Sequence, residues 1–198
     1  MFGILALALV PAASHAAWIR VDPPSVGCSL VPPGYRCSTT TQIRFAYPRE
    51  WDVLDSPEYS SLYTRLIWLS TQELNEPCSY THTDQGVRVR CGLPLGSLDQ
   101  NGALLQWGFG GRPGWSLGQM PGERIRIGGR SAKLAVNEPS GGADSCLQLG
   151  GEESLTLWIT RKAAHNFYFM NACLRGPDLK SVEQKVRTMI ASARFPFG

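Results

Sequence analysis

Gly128 and Gly129 are ringed by Arg124, Arg126, Arg130, Ser131 and Lys133 in RIRIGGRSAKL, a set that invites phosphate chemistry. Glycines let a backbone approach an anion, and the cations would neutralise it. A phosphate-binding P-loop needs G-x-x-x-x-G-K-[ST], so that N–H groups and a lysine converge on the phosphate. Aligning Gly129-Arg130-Ser131 on that pattern puts Arg124 where the first glycine belongs and an arginine where the lysine belongs. A Gly-Gly pair between alternating runs is instead the sequence of a tight hairpin, because both residues accept positive φ. That register sets Ile125 opposite Ala132 and Arg124 opposite Lys133, with Arg126 on the same face. Like charges opposed across a sheet repel mildly. The ribbon therefore calls for an acidic partner. Glu50, Asp52, Asp55 and Glu58 of PREWDVLDSPE offer an internal one, and an anionic cell-surface polymer an external one.

Other reactive groups are sparse. After the first sixteen residues the histidines are His82 in YTHTD and His165 in KAAHN, and no G-x-S-x-G elbow accompanies them. A nucleophilic triad depends on geometry and not on chain order, so a small extracellular hydrolase using His82 or His165 stands as an alternative reading. The absence of His-x-x-x-His, of clustered carboxylates and of paired C-x-x-C predicts no metal and no cofactor. A net charge of +3 is too slight to predict nucleic-acid binding. The loop WGFGGRPGWSLG is the strongest binding candidate: Trp107, Phe109 and Trp115 interleave with Arg112 and with glycines. Two roles stay open. Arg112 and Trp115 form a contact surface, since aromatic and arginine side chains dominate interfaces, or Trp107 joins a strand core and Trp115 folds down over it.

The elements that would position these residues belong to an exported chain. MFGILALALVPAASHA carries an apolar run from Phe2 to Pro11 and a small-x-small Ser14-His15-Ala16, the pattern of a signal peptide over residues 1–16, although a basic n-region is missing. The run is shorter than the ~20 residues a membrane helix needs, and Arg20 and Asp22 separate Cys28 from it, against a lipid anchor. Stable membrane insertion is not expected. Six cysteines spread along 198 residues predict disulfides. Cys28 and Cys37 bracket SLVPPGYR, a loop turned by proline and glycine. Cys78 and Cys91 flank a hairpin turning at Asp84-Gln85-Gly86. Cys146 and Cys173 pair by elimination.

Residues 17–40 read as an N-terminal disulfide-closed extension and 41–198 as one domain. TQIRFAYP, Thr41 to Pro48, alternates Ile43, Phe45 and Tyr47 against Gln42, Arg44 and Ala46, as a strand does. SLYTRLIWLS has strand length and composition, with a helix as the alternative. GVRVRC, GALLQWGF, SLTLWIT and NFYFMNACL read as further strands. In PDLKSVEQKVRTMIASARF, Leu179, Val182, Val186, Met189, Ile190 and Ala193 make one apolar stripe, so the tail is an amphipathic helix. Asp178 stands where it can cap that helix, behind Pro177. The class is α+β: a mainly antiparallel sheet with the C-terminal helix packed on one face.

RIRIGGRSAKL, ACLRGPDLKSVEQKVRTMIASARF and Tyr47-Pro48-Arg49-Glu50-Trp51 together resemble uncharacterised secreted actinobacterial proteins with a PsbP-like α/β/α sandwich. The resemblance covers roughly residues 41 to 195. It implies that sandwich and a protein-binding or accessory role, and it supplies no catalytic motif. Ser131 stands where those proteins have proline after GGR. The expectation is a secreted, extracellular or cell-wall-associated binding module without catalysis, whose partner is a protein or an anionic surface. Its candidate contacts are Arg112 and Trp115, then Arg124, Arg126 and Lys133.

Overall fold

The structure is a computed structural model describing residues 33–37, 43–55, 58–59, 63–84, 86–140, 145–161 and 165–195. The predicted signal peptide, Cys28 and most of the predicted extension lie outside the described residues. Its strands are β1 (Tyr35–Cys37), β2 (Ala46–Pro48), β3 (Asp52–Leu54), β4 (Glu58–Tyr59), β5 (Tyr63–Ser70), β6 (Cys78–Thr83), β7 (Gly86–Cys91), β8 (Ala103–Gly111), β9 (Glu123–Ile127), β10 (Arg130–Asn137), β11 (Glu153–Thr160) and β12 (Asn166–Leu174). Helix α1 (Ser145–Gln148) is a single turn, and α2 (Leu179–Ser192) closes the domain. The main sheet is antiparallel throughout, in the order β3-β5-β8-β12-β11-β10-β9 with β4 also on β5. This is an α+β fold with the C-terminal helix on the sheet.

Alternation sorts the strand side chains onto two faces. Ile67, Leu69, Leu105, Trp107, Met170, Ala172, Leu155, Leu157 and Leu134 point to one face, where Val182, Val186, Met189 and Ile190 of α2 cover them. The helix stripe is the one the sequence spacing predicts. Asp178 occupies the N-cap position without a side-chain cap bond, contrary to the expected capping role; its backbone N–H donates to Asn101 Oδ1 at 2.9 Å. Strand β5 resolves the choice left open for SLYTRLIWLS. It is a strand with a register shift between Arg65 and Ile67; beyond the shift Ile67 and Leu69 are buried under α2 and Trp68 is buried on the opposite face, beside Leu95 and Leu104.

TQIRFAYP is not one strand of the main sheet. Of its described residues, 43–48, only Ala46–Pro48 is strand, and it pairs with Tyr35–Cys37 in a separate two-stranded sheet. Upstream, Arg44 makes an isolated bridge to Arg194 while Ile43 and Phe45 enter the core under α2. Core burial, not a ladder, produced the period-two pattern there. The expected acidic partner is also placed elsewhere: Glu50 pairs with Lys185 on α2 at 3.1 Å, and Asp52 accepts the Leu74 N–H at 2.7 Å.

The disulfides Cys78–Cys91 and Cys146–Cys173 form as expected. Cys37 is also disulfide-bonded. Cys78 and Cys91 are directly opposed across β6 and β7, which form a projecting hairpin whose Tyr80 and Val89 stay exposed. No helix among the described residues is long and apolar enough to cross a membrane.

At the start of β11, burial raises the Glu153 carboxyl above its ordinary pKa; Glu183 adds to the shift and Arg187 opposes it. Its Oε1 is buried without a hydrogen-bond partner. Below the ordinary carboxylate range the group is neutral folded and unfolded, and there is no penalty. As pH rises past the unfolded value, the unfolded state ionises first and folding stability falls. Glu153→Gln should therefore raise the urea midpoint at pH 7, with the gain vanishing at pH 3.

Candidate functional site

The second face of the sheet is covered at its two ends and open between them. The residues pointing there are Trp68 on β5, Leu104, Gln106 and Gly108 on β8, Phe167, Phe169, Asn171 and Cys173 on β12, and Thr156 and Trp158 on β11. Register aligns Trp68, Gln106, Asn171 and Thr156 in one row across four adjacent strands.

At one end lies an aromatic wall. Trp115 stacks on Phe167 with ring centroids 4.8 Å apart, and Trp158 meets Phe167 edge-on at 5.3 Å. Phe169 lies across β8 because residue 108 is glycine; a Cβ there would overlap the ring. Leu117 and Met120 complete the cluster. The wall is tied down by its own backbone. His165, in the left-handed region at φ 63°, holds the loop through its carbonyl, which accepts the Arg112 N–H at 3.2 Å, and its Nδ1 lies 3.3 Å from the Trp115 carbonyl. Lys133 Nζ donates to the carbonyls of Gly118 and Met120.

At the other end Trp68, Leu95, Leu98, Leu104 and Leu149 pack around the Cys146–Cys173 disulfide. That bond ties α1 to the central strand β12. Leu93 and Gly92, leading out of the β6–β7 hairpin, complete the rim of this end.

Between the two walls lies a cleft made of two adjoining cavities. The aromatic one is about 520 Å³ and the second about 610 Å³; Arg65, Gln106 and Asn171 line both. Such volumes suit a small-molecule or short-peptide site. Asn171 is the one exposed residue inside the otherwise buried run Phe167–Leu174 of β12, which shows where the sheet is uncovered. Beside it Gln106 is only 6% exposed, and its Nε2 has no hydrogen-bond partner. A buried amide without a partner costs about 1–3 kcal/mol. Neither side-chain amide is bonded to another described residue. The Arg65 guanidinium lies 5.7 Å from the Trp68 ring centroid, and Arg112 stands at the aromatic mouth. No acidic residue lines either cavity among the described residues. The cleft is aromatic at one end, amide-lined in the middle, of mixed aliphatic and hydroxyl or amide lining at the disulfide end, and cationic at the rim.

The sequence candidates fall in three places. Arg112 and Trp115 both line the aromatic cavity. Trp115 is 6% exposed and packs down on Phe167, whereas Trp107 is wholly buried on the opposite face of the sheet under α2. Arg124, Arg126 and Lys133 lie on the β9–β10 hairpin, whose Gly128 and Gly129 take φ of 55° and 82°. Ile125 opposes Ala132, and Arg124 opposes Lys133, as that turn requires. Lys133 reaches the aromatic loop, Arg126 donates to the Gly129 carbonyl at 2.9 Å, and Arg124 and Arg126 border a separate cavity of about 460 Å³. His82 is exposed on the projecting hairpin, and His165 is part of the loop anchor. Neither imidazole contacts a carboxylate or a serine hydroxyl among the described residues. No group of three metal-ligating side chains occurs among them.

Sequence reading missed Gln106 and Asn171. Their signal was one amide in each of two apolar strand runs, LLQWGF and YFMNACL. The chain matches no protein-family model and no curated protein.

Proposed function

We propose that the protein is a secreted, disulfide-braced module of PsbP-like sandwich form that binds a ligand in the cleft over Gln106 and Asn171. It works by binding, without chemistry of its own. The observation that carries this reading is the pairing of an exposed Asn171 with a buried, unpartnered Gln106 at the centre of the sheet. The second face of an antiparallel sheet can meet solvent, and Asn171 is exposed on that face, but an orphaned buried amide such as Gln106 is normally eliminated or satisfied. The open patch and the orphaned amide coincide, with an aromatic cavity on one side, a more polar cavity on the other and arginines at the rim. The two described disulfides and the oxidised Cys37 support export, because such bonds persist in oxidising compartments. Lys133 is engaged with the aromatic loop, which favours the cleft over the basic hairpin as the ligand site.

Asn171→Trp tests the reading, since the new ring fills the cleft from its floor. The position is exposed, so the melting temperature should move by no more than about 2 °C, in keeping with surface substitutions. Thermal-shift screening of the oxidised protein against small acids, acyl carboxylates, oligosaccharides and short peptides should find ligands that stabilise the wild type and not the variant. Ligands that stabilise both alike, or no stabilising ligand at all, would defeat the proposal.

A further inference from the structure

We infer that the cleft takes an extended peptide segment with two hydrophobic side chains four residues apart and an acidic group beyond the second. This rests on the binding reading above and specifies the ligand. Gln106 and Asn171 are directly opposed across β8 and β12, which puts their Cβ atoms about 5 Å apart. Each primary amide offers donors and an acceptor, and neither is bonded to a described residue. A peptide group needs both kinds of partner. The terminal amide torsion of glutamine is broad and two-fold, so Gln106 can turn its buried Nε2 toward a ligand without breaking a hydrogen bond.

Each of the two adjoining cavities is bordered by one apolar row of the sheet, Leu104 and Cys173 at one and Phe169 at the other, and these rows set the spacing. Leu104 and Cys173 lie one alternation to one side of the amide pair, and Gly108 and Phe169 one alternation to the other. At about 3.4 Å per strand residue the two apolar rows are about 14 Å apart. An extended peptide spans that distance in four residues. An acyl chain would pass the amide pair with nothing to bond to it, leaving the Gln106 donor unsatisfied. A sugar chain supplies hydroxyls, but it stacks on exposed ring faces, and Trp115, Phe167 and Phe169 are buried edge and face against one another. Charge complements this. Arg112 follows Gly111 at the aromatic end, and its guanidinium has no described partner, so a carboxylate two or three ligand residues beyond the aromatic cavity can pair with it.

The test is selection of a displayed, randomised nine-residue peptide library on the full oxidised chain, followed by anisotropy titration of the most enriched labelled peptide. The expected enrichment is hydrophobic residues four apart with Asp or Glu nearby. Gln106→Leu should weaken that peptide at least tenfold, and so should Arg112→Glu. A peptide with Lys in place of its acidic residue should recover affinity for the Arg112→Glu protein. Dodecanoate and a linear hexasaccharide serve as the contrasting probes, read by thermal shift. If either stabilises the wild type and not Asn171→Trp while no peptide is enriched, the cleft binds but the peptide inference falls. Enriched peptides lacking the four-residue spacing, or without charge-swap rescue, also overturn it. If no probe depends on Asn171, both readings fall.

Discussion

Trp107→Ala is expected to cost the protein about 4 kcal/mol, in the middle of the range for truncating a buried aromatic. The side chain is fully buried between the sheet and α2. It stacks on Phe45 at 5.4 Å and sits between Ile67 and Met170 in the strand register. Its indole N–H has no partner, so the loss is one of packing alone and no hydrogen bond is broken. For a chain of this length the melting temperature should fall by about 10 °C. Trp107→Phe should recover more than half of that, because it keeps the stacking on Phe45. Trp115→Ala makes the informative contrast. It removes a buried ring from the cleft wall, not from the α2 core, and should weaken ligand binding by the folded protein, which Trp107→Ala should leave unchanged. Loss of ligand binding in folded Trp107→Ala with full binding in folded Trp115→Ala would contradict the separation of core and cleft on opposite sheet faces.

Replacing both Cys146 and Cys173 by alanine is the second large effect. The bond spans a sequence separation of 27, for which loop-closure entropy predicts about 3.5 kcal/mol. Its structural consequence is local to the cleft. Cys146 lies on the one-turn helix α1, too short to persist by itself, and the sulfur bridge holds that turn against β12. Its removal should loosen the Leu149 end of the cleft and speed amide hydrogen exchange across residues 145–150. The Cys78–Cys91 bond closes a shorter loop, with a separation of 13. An isolated two-stranded hairpin is marginal in water. Loss of that bond should melt β6 and β7 while the main sheet keeps its exchange protection. Circular dichroism melts and exchange mass spectrometry of the two double variants distinguish a brace of the domain from a brace of one hairpin.

What the sequence disclosed follows the range of the interactions. The Gly128–Gly129 turn and the Cys78–Cys91 hairpin were legible because a few adjacent residues dictate their registers. The α2 stripe was legible because helix periodicity survives over four turns. Cys146–Cys173 could be reached only by elimination, since a four-residue helix leaves no periodic trace and its partner lies on a strand paired elsewhere. TQIRFAYP misled for a related reason: Ile43 and Phe45 alternate because the core lies on one side of them, not because they join a ladder. The cleft was the least legible part. Gln106 and Asn171 become neighbours only because β12 inserts between β8 and β11, a non-local arrangement that no local pattern encodes. The spacing of WGFGGRPGWSLG puts Arg112 and Trp115 in one loop, and burial of Trp115 makes that residue a wall of the cavity and not a projecting contact.

Side-chain amide resonances give the most direct test of the cleft. In ¹⁵N-resolved NMR of the oxidised protein, titration with a ligand that raises the melting temperature should shift the NH₂ signals of Gln106 and Asn171. Those of Gln72, whose amide is already bonded to Ser97 and Asp99, should stay in place. Stationary Gln106 and Asn171 signals at saturation, with shifts gathered instead at the Arg124 and Arg126 guanidinium groups, would contradict the account.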